Sequence, residues 1–384
     1  MVGLGRLRRA VVSFDEAVAC VDAASPSLGT ERVRLRKAMG RVLAEDVHAA
    51  APIPPDDCAA LDGFAVRADA SLGASSYNPV ELALLAATAG AALPPGADAV
   101  IPLDAAEPDG FGHIQVVEPV APGDNVEWRG AVAAAGALLV ATGVRLAFRH
   151  IGMLAAAEID TVQVVRRPRV QILLAGPMAA PRAPDSNGPM LRAAVARDGG
   201  VIAEVTRVPR ARSSLITALT APDGDFVLVI GGTGPGPDDH AAAALDELGE
   251  LVFHGVTMRP GETAGLGRTG SGVPVMLLPG MPAAALWSYE LFAGRAIRRL
   301  GGRDPGLPYR SREMTVARKI VSAIGTTEIC PVLLGPGDTI EPLPAFAEIG
   351  LRAAIAGAGF VVVPAAREGY PPGAVVTAYL YDDV

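Results

Sequence analysis

The segment of this chain best suited to hold an anion is a glycine-rich run that ends in two carboxylates, Gly231-Gly232-Thr233-Gly234-Pro235-Gly236-Pro237-Asp238-Asp239. Its glycines expose backbone N–H groups and let a phosphate approach closely, and the aspartates stand just before an apolar, helix-prone stretch. A second turn, Leu278-Pro279-Gly280-Met281-Pro282, also leads from strand to helix, with Pro282 at the first helical position. Two further candidates are Asp185-Ser186-Asn187, ahead of another helix, and Ala60-Leu61-Asp62-Gly63-Phe64-Ala65, after a proline pair. Each has a plainer reading. Asp238, Asp239 and the 185–187 side chains can simply cap helices, and Asp-Gly is a turn signal. Local pattern leaves both readings open, but two such turns in one sheet favour a ligand, because open parallel sheets bind at the carboxyl ends of their strands. None of the five histidines pairs with another at metal-ligand spacing, so histidine predicts no metal site.

The elements that must position these turns follow from apolar periodicity. Strands are predicted over 170–176, 201–205, 226–230 and 273–278, alternating with helices over 190–197, 213–219 and 241–248 and a last helix after Pro282. Such alternation predicts a parallel α/β sheet across 169–306. Ser13-Phe14-Asp15-Glu16 has capping-box spacing and starts an amphipathic helix. Residues 47–129 read as short β-prone pieces, such as Ala99-Val100-Ile101 and His113-Ile114-Gln115-Val116-Val117, between Pro, Gly and Asp clusters. Residues 130–168 carry an apolar strand and a helix around 149–158, and are expected to rejoin residues 1–46 as a discontinuous domain. Past 307 short strands return, including 359–363 and 375–380, as a C-terminal β domain. The expectation is a multidomain α+β chain whose central α/β parallel-sheet domain is flanked by β-rich domains, the last barrel-like.

With 384 residues, half of them hydrophobic, two to four ordered domains are expected. A net charge of −8 argues against nucleic acid and anionic membranes as partners. Cys20, Cys58 and Cys330 show no CxxC spacing, so neither a disulfide framework nor structural zinc is expected, and the cytoplasm fits best. The basic start, residues 1–9, leads into Asp15 and Glu16 rather than a signal-peptide core, and the apolar run 131–144 is too short to span a bilayer.

Taken in order, several segments resemble the MoeA-type proteins and the gephyrin E domain. They are Ala38-Met39-Gly40-Arg41-Val42-Leu43-Ala44-Glu45-Asp46-Val47, Pro54-Pro55, Leu61-Asp62-Gly63-Phe64-Ala65 and Leu93-Pro94-Pro95-Gly96-Ala97-Asp98-Ala99-Val100. Asp185-Ser186-Asn187, the 231–239 loop, Leu248-Gly249, Met258-Arg259-Pro260-Gly261, Leu278-Pro279-Gly280 and Pro372-Gly373 continue the match. The resemblance implies a four-domain subunit that forms a homodimer, with its active site between the molybdopterin-binding α/β domain and a neighbouring subunit. It implies insertion of molybdenum from molybdate into molybdopterin, consuming the adenylylated pterin and releasing AMP, with Mg2+ as the metal. Carried onto this sequence, it makes Asp62 and Asp239 catalytic and Asp62, Asp185 and Asp239 metal ligands. Pterin-binding positions would be Gly231, Gly232, Thr233, Gly234, Gly236, Asp185, Asn187, Arg259, Pro279 and Gly280.

The departures bear on turnover. Where the family reads Asp-Asn-Ser-Ala-Met-Asp-Gly-Tyr, this chain has Asp57-Cys58-Ala59-Ala60-Leu61-Asp62-Gly63-Phe64. A Thr-Gly pair becomes Ala89-Gly90, an Arg becomes Glu127, and Thr-Gly-Asp-Glu becomes Ala175-Gly176-Pro177-Met178. The family lysines near Pro-Gly are Gly255, Arg259 and Glu262, and the Asn of Pro-Gly-Asn-Pro is Met281. The loop Gly-Gly-Thr-Gly-x-x-Pro-x-Asp is closer to the sibling MogA-type pterin adenylyltransferases. Arg259, Arg268 and Arg129 are candidates to replace the lost charge. Three functions follow: a molybdenumtransferase with a rearranged site, a non-catalytic paralogue that carries the pterin or its cofactor to a molybdoenzyme, or a dimeric scaffold.

Overall fold

The computed structural model describes residues 11–176, 185–343 and 350–381, and the chain divides into two compact units, Met1–Thr30 with Val165–Val384, and Glu31–Val164.

The larger unit is built on a six-stranded sheet. Helix α1 (Phe14–Ala24) opens the unit with the expected capping box, Ser13 accepting the Glu16 amide while the Glu16 carboxylate accepts that of Ser13. The sheet then runs through β1 (Arg169–Gly176), β2 (Val201–Pro209), β3 (Phe226–Ile230), β4 (Glu250–His254), β5 (Gly265–Arg268) and β6 (Pro274–Leu278). Their spatial order is β2-β1-β3-β6-β5-β4. The first four are parallel, and β5 and β4 add an antiparallel edge that the alternation pattern did not announce. β1 and β3 are apolar along nearly their whole length because both faces are covered.

One face packs on α1, α2 (Asn187–Arg197) and the helical segment that begins with α5 (Pro282–Ser288), with Val170, Ile172, Leu191, Val195, Leu228 and Trp287 at its centre. The other packs on α3 (Arg212–Thr220) and α4 (Ala241–Leu248) through Leu173, Leu215, Leu219, Val229, Leu245 and Leu277. The chain leaves β1 toward β2 on one side and returns to β3 on the other, so the strand order reverses beside β1.

Past the sheet, β7 (Arg310–Val316), β8 (Thr327–Leu334), β9 (Thr339–Pro342), β10 (Gly359–Val363) and β11 (Val375–Leu380) close on themselves. β7 pairs with β9 and β11, β8 with β9 and β10, and β10 with β11, which makes the expected barrel. Met314, Val332, Ile340, Val361 and Val376 fill it.

The Glu31–Val164 unit is β-rich. Gly63–Val66 pairs with Ala86–Ala87 and Ala99–Pro102, and Val80–Ala83 pairs with His113–Val116, over a core of Phe64, Val66, Ile101, Ile114 and Val116. A second core joins Leu43, Val140, Leu146, Leu154 and Val164, and contains the helix Phe148–Ala156. Among the described residues no helix is long and apolar enough to cross a membrane.

Candidate functional site

The two glycine turns lie side by side. Ile230 and Leu278 are register partners at the ends of β3 and β6, and the Gly231 amide donates to the Leu278 carbonyl at 2.9 Å. Gly231 has φ +86°, and a Cβ there would come within 2.6 Å of the Ala175 carbonyl oxygen, so three strand ends meet where only glycine fits. At Gly280 a Cβ would lie 3.3 Å from the Gly231 Cα. Asn187, the first residue of α2, ties the second turn to the start of that helix, its Nδ2 donating to the Gly280 carbonyl at 3.0 Å. Its Oδ1 is buried with no hydrogen-bond partner among the described residues.

The loop backbone has a specific pattern of satisfaction. The Gly232 carbonyl accepts from Ala241, which starts α4, and the Thr233 carbonyl receives His254 Nε2 at 2.8 Å. Thr233 Oγ1 lies 3.1 Å from Thr263 Oγ1. The amides of Gly232, Thr233 and Gly234 donate to no acceptor among the described residues, although Gly232 and Thr233 are buried. Buried N–H groups are paired in the great majority of cases, so consecutive unpaired ones mark a place for an external acceptor.

The carboxylates are partly engaged already. Asp239 Oδ2 accepts the Gly236 amide at 3.2 Å, so this side chain braces its own loop instead of capping α4, whose N-cap, His240, supplies no side-chain bond. Asp185 Oδ1 accepts the Gly188 amide at 3.0 Å inside α2, and its Oδ2 pairs with Arg207 of β2 at 3.3 Å. Asp185 is thus a helix cap, with a cation beside it that sequence patterning gave no means of finding. Pro282 is at N1 of α5, as expected, but Met281 at the N-cap cannot accept a hydrogen bond from the first turn.

Arg259 lies on the turn that carries Thr263, and its Nε is 3.5 Å from a Glu262 carboxylate oxygen while the other Glu262 oxygen accepts the Gly261 amide. Its charge is therefore largely balanced locally. Arg268 pairs with Pro274, at the opposite end of β6 from Gly280, so it does not replace the lost lysines at the Gly loop. Gly255 has φ +102°, and a Cβ there would lie 3.0 Å from the Val11 side chain.

Asp62 belongs to the other unit, where its Oδ1 accepts the Ala89 amide at 2.8 Å. It stands at the start of the strand Gly63–Val66, where a Cβ on Gly63 would come within 2.1 Å of the Ile101 carbonyl oxygen. Asp-Gly is here a strand entry with close backbone approach. In the preceding strand Cys58 is buried, and burial first, then Asp56, Glu127 and Asp57, push its thiol above the ordinary range. Among the described residues one group of three ligand-type side chains converges, the solvent-facing Glu81, Asp109 and His113 of this unit, so histidine spacing in sequence missed His113.

The two glycine turns thus stand at adjacent strand ends of a doubly covered sheet, and comparison with known proteins shows the family to which such a sheet belongs. A model of the MoeA N-terminal region (domain I and II) matches residues 12–157, and one described as "Probable molybdopterin binding domain" matches 171–299. Over 325 residues the chain is 31% identical to molybdopterin molybdenumtransferase 2 of Mycobacterium tuberculosis, an alignment that covers 74% of this chain and 79% of that one. The chain belongs to the MoeA family. A molybdopterin molybdenumtransferase of Nostoc is 30% identical over 310 residues, with 72% and 71% covered. The solved structure of a molybdopterin biosynthesis MoeA protein from Pyrococcus horikoshii is 30% identical and matches with a TM-score of 0.77, over 97% of this chain and 99% of that one. The α/β sheet just described lies largely within the stretch matched by the molybdopterin-binding model, and the chain's function lies in molybdenum cofactor biosynthesis.

Proposed function

We propose that this MoeA-family chain inserts molybdate into adenylylated molybdopterin, with the phosphorylated tail of the pterin held by the turns after β3 and β6. The observation that carries this reading is the run of amides at Gly232, Thr233 and Gly234 that meet no acceptor among the described residues, beside the Pro279-Gly280 turn. Helices α4 and α5 start at the same sheet edge as α2, and in both the N-cap side chain makes no capping bond, so their first-turn N–H groups add to a field that favours phosphate. Asn187 Oδ1 is an acceptor suited to a pterin or ribose N–H or O–H donor.

Mg2+ is compatible with the donor set. It needs hard oxygens and is commonly bound by one or two carboxylates completed by substrate phosphates and water. Asp239 Oδ1 has no partner among the described residues, so Asp239 offers one such oxygen while its Oδ2 still braces the loop. Asp185, in the same unit, would be a second ligand. When bound, Mg2+ would neutralise phosphate charge during release of AMP. Arg207 and Asp185 would orient the end of α2, and the loop amides would hold phosphate oxygens. A homodimer, in which the partner subunit completes the site, and residence in the cytoplasm complete this proposal.

A specific observation favours the carrier as a second reading. Arg259 is balanced by Glu262, and Gly255 occupies a backbone conformation unsuited to the family lysine, so the turn beside the Gly loop has little net cation to stabilise a leaving phosphate. A carrier would hold the pterin or its cofactor for a molybdoenzyme without releasing AMP. Incubation of the purified protein with adenylylated molybdopterin, molybdate and Mg2+, followed for AMP, separates the two. Release that Asp62→Asn and Asp239→Asn both abolish supports the transferase. Tight binding without release supports the carrier, and absence of both leaves only a scaffold.

A further inference from the structure

We infer that His254 and Thr263 are positioning residues for the Gly loop, and that they act by occupying the carbonyl and hydroxyl of Thr233 so that the neighbouring amides stay open to a ligand. The inference rests on the pterin site proposed above, and no position in this pair belongs to a motif that marks that site in sequence.

Thr233 is 2% exposed, yet it carries a hydroxyl, a carbonyl and an amide. A buried threonine ordinarily satisfies such groups within its own loop, and a hydroxyl or carbonyl turned inward would compete for the N–H groups of residues 232–234. Here the competition is removed from outside the loop. Imidazole Nε2 of His254, at the end of β4, faces the Thr233 carbonyl at 2.8 Å. A carbonyl only accepts, so the imidazole proton sits on Nε2 and the ring donates. Thr263, on the turn after Arg259, meets the Thr233 hydroxyl at 3.1 Å.

The surroundings are shaped to this arrangement. Gly265 is the register partner of His254, and a Cβ there would lie 3.2 Å from the imidazole Cδ2, so its missing side chain makes room for the ring. Thr263 also joins the loop to the turn holding Arg259 and Glu262, which sets where that ion pair stands relative to the amides. Two contacts from two different elements fix one residue, and orientation of this kind is what lets a loop bind without ordering itself first.

The test uses the full-length protein. His254→Phe and Thr263→Val remove one contact each, while His254→Gln and Thr263→Ser keep a donor or hydroxyl near the same place. Two readouts are taken: hydrogen–deuterium exchange across residues 231–239 without ligand, and binding of adenylylated molybdopterin. Removal of either contact is expected to speed exchange at 232–234 and to weaken binding about five- to tenfold, with the conservative variants restoring most of both. In steady state the loss falls on KM, with kcat within about twofold. Unchanged exchange in both His254→Phe and Thr263→Val overturns the inference, and so does faster exchange with binding unaltered. Should the wild-type chain bind no pterin, the proposed function fails, and the exchange arm still decides whether these two residues hold the loop.

Discussion

Gly231→Ala should destabilise the α/β unit through a contact that can be isolated from backbone strain. Gly231 and Gly272 share the same φ of +86°, but their surroundings differ. A Cβ at Gly231 would lie 2.6 Å from the Ala175 carbonyl oxygen, whereas one at Gly272, in the turn between β5 and β6, would meet nothing within 4 Å. A left-handed backbone costs an L-residue about 1–2 kcal/mol, offset by about 0.4–1 kcal/mol from the stiffer unfolded chain. Gly272→Ala should therefore lose about 1 kcal/mol or less. At Gly231 the obstructing atom is backbone at the end of a central strand, which cannot rotate away, so overpacking adds about 1–3 kcal/mol. The difference between the two variants is the prediction. Trp287 lies in the α/β core and Trp128 in the other unit, and the chain has two tryptophans, so a Trp128→Phe background makes fluorescence report the α/β unit alone during urea unfolding. If the two variants differ by less than about 0.5 kcal/mol, the turn does not abut β1 as described, and the adjacency on which the ligand site depends is lost with it.

Glu262→Gln keeps an acceptor for the Gly261 amide but frees Arg259, so phosphate-bearing ligands should bind about two- to tenfold more tightly at low salt, with the gain fading by 0.5 M NaCl; calorimetry at two ionic strengths checks this. Burial of Asp225 opposes its charge, but the bidentate Arg166 and the Arg169 amide outweigh burial and hold its carboxyl below the usual range. A lowered folded pKa gives stability that is present above the unfolded value near 4 and lost as pH falls through the folded value, so Asp225→Asn should cost about 1–2 kcal/mol at pH 7 and flatten the acid limb below about pH 4. Burial pushes the Cys330 thiol up to about 12, and burial with three neighbouring carboxylates raises that of Cys58, so a thiol reagent at pH 8 should label Cys20 first. Equal labelling rates at all three cysteines would contradict those environments.

Elements of the α/β sheet and the barrel were legible because periodicity states them directly: Phe226–Ile230 and Ala241–Leu248 of the first, and Gly359–Val363 and Val375–Leu380 of the second, have the bounds that their apolar runs predict. The antiparallel edge was not. β5 is the sequence Gly-Leu-Gly-Arg, whose glycines permit close approach to β4 and remove the alternation that would announce a strand. Nor does the stripe of Ala17, Val21 and Ala24 on α1 say which apolar surface will cover it, because burial is non-directional; it covers the α/β core. At the site, glycine turns and Pro282 could be read from type and spacing. The bracing of Asp239 on Gly236, the Arg207 partner of Asp185 and the His254 contact to Thr233 could not, since each depends on which strand ends become neighbours.

Three of the departures from the family pattern, Gly255, Arg259 and Glu262, lie around one turn, and their geometry argues that they belong together. Gly255 follows His254 directly, and its φ of +102° is a conformation that a lysine rarely adopts, with Val11 against the place of a Cβ. The backbone that turns His254 toward Thr233 is thus the same backbone that excludes a lysine one residue later. Thr263 closes the other side of the loop, on a turn where Glu262 has replaced a family lysine and holds Arg259. A turn that had merely lost function would show unrelated replacements, whereas here Arg259 and Glu262 meet each other and Glu262 also accepts the Gly261 amide. Gly255→Lys alone should therefore fail to raise ligand affinity and should lower thermal stability by several degrees, because it restores charge at the expense of the turn. A Gly255→Lys protein that kept its stability and bound adenylylated molybdopterin tenfold more tightly would show that the lysine was simply missing, and that the surrounding changes are independent of it.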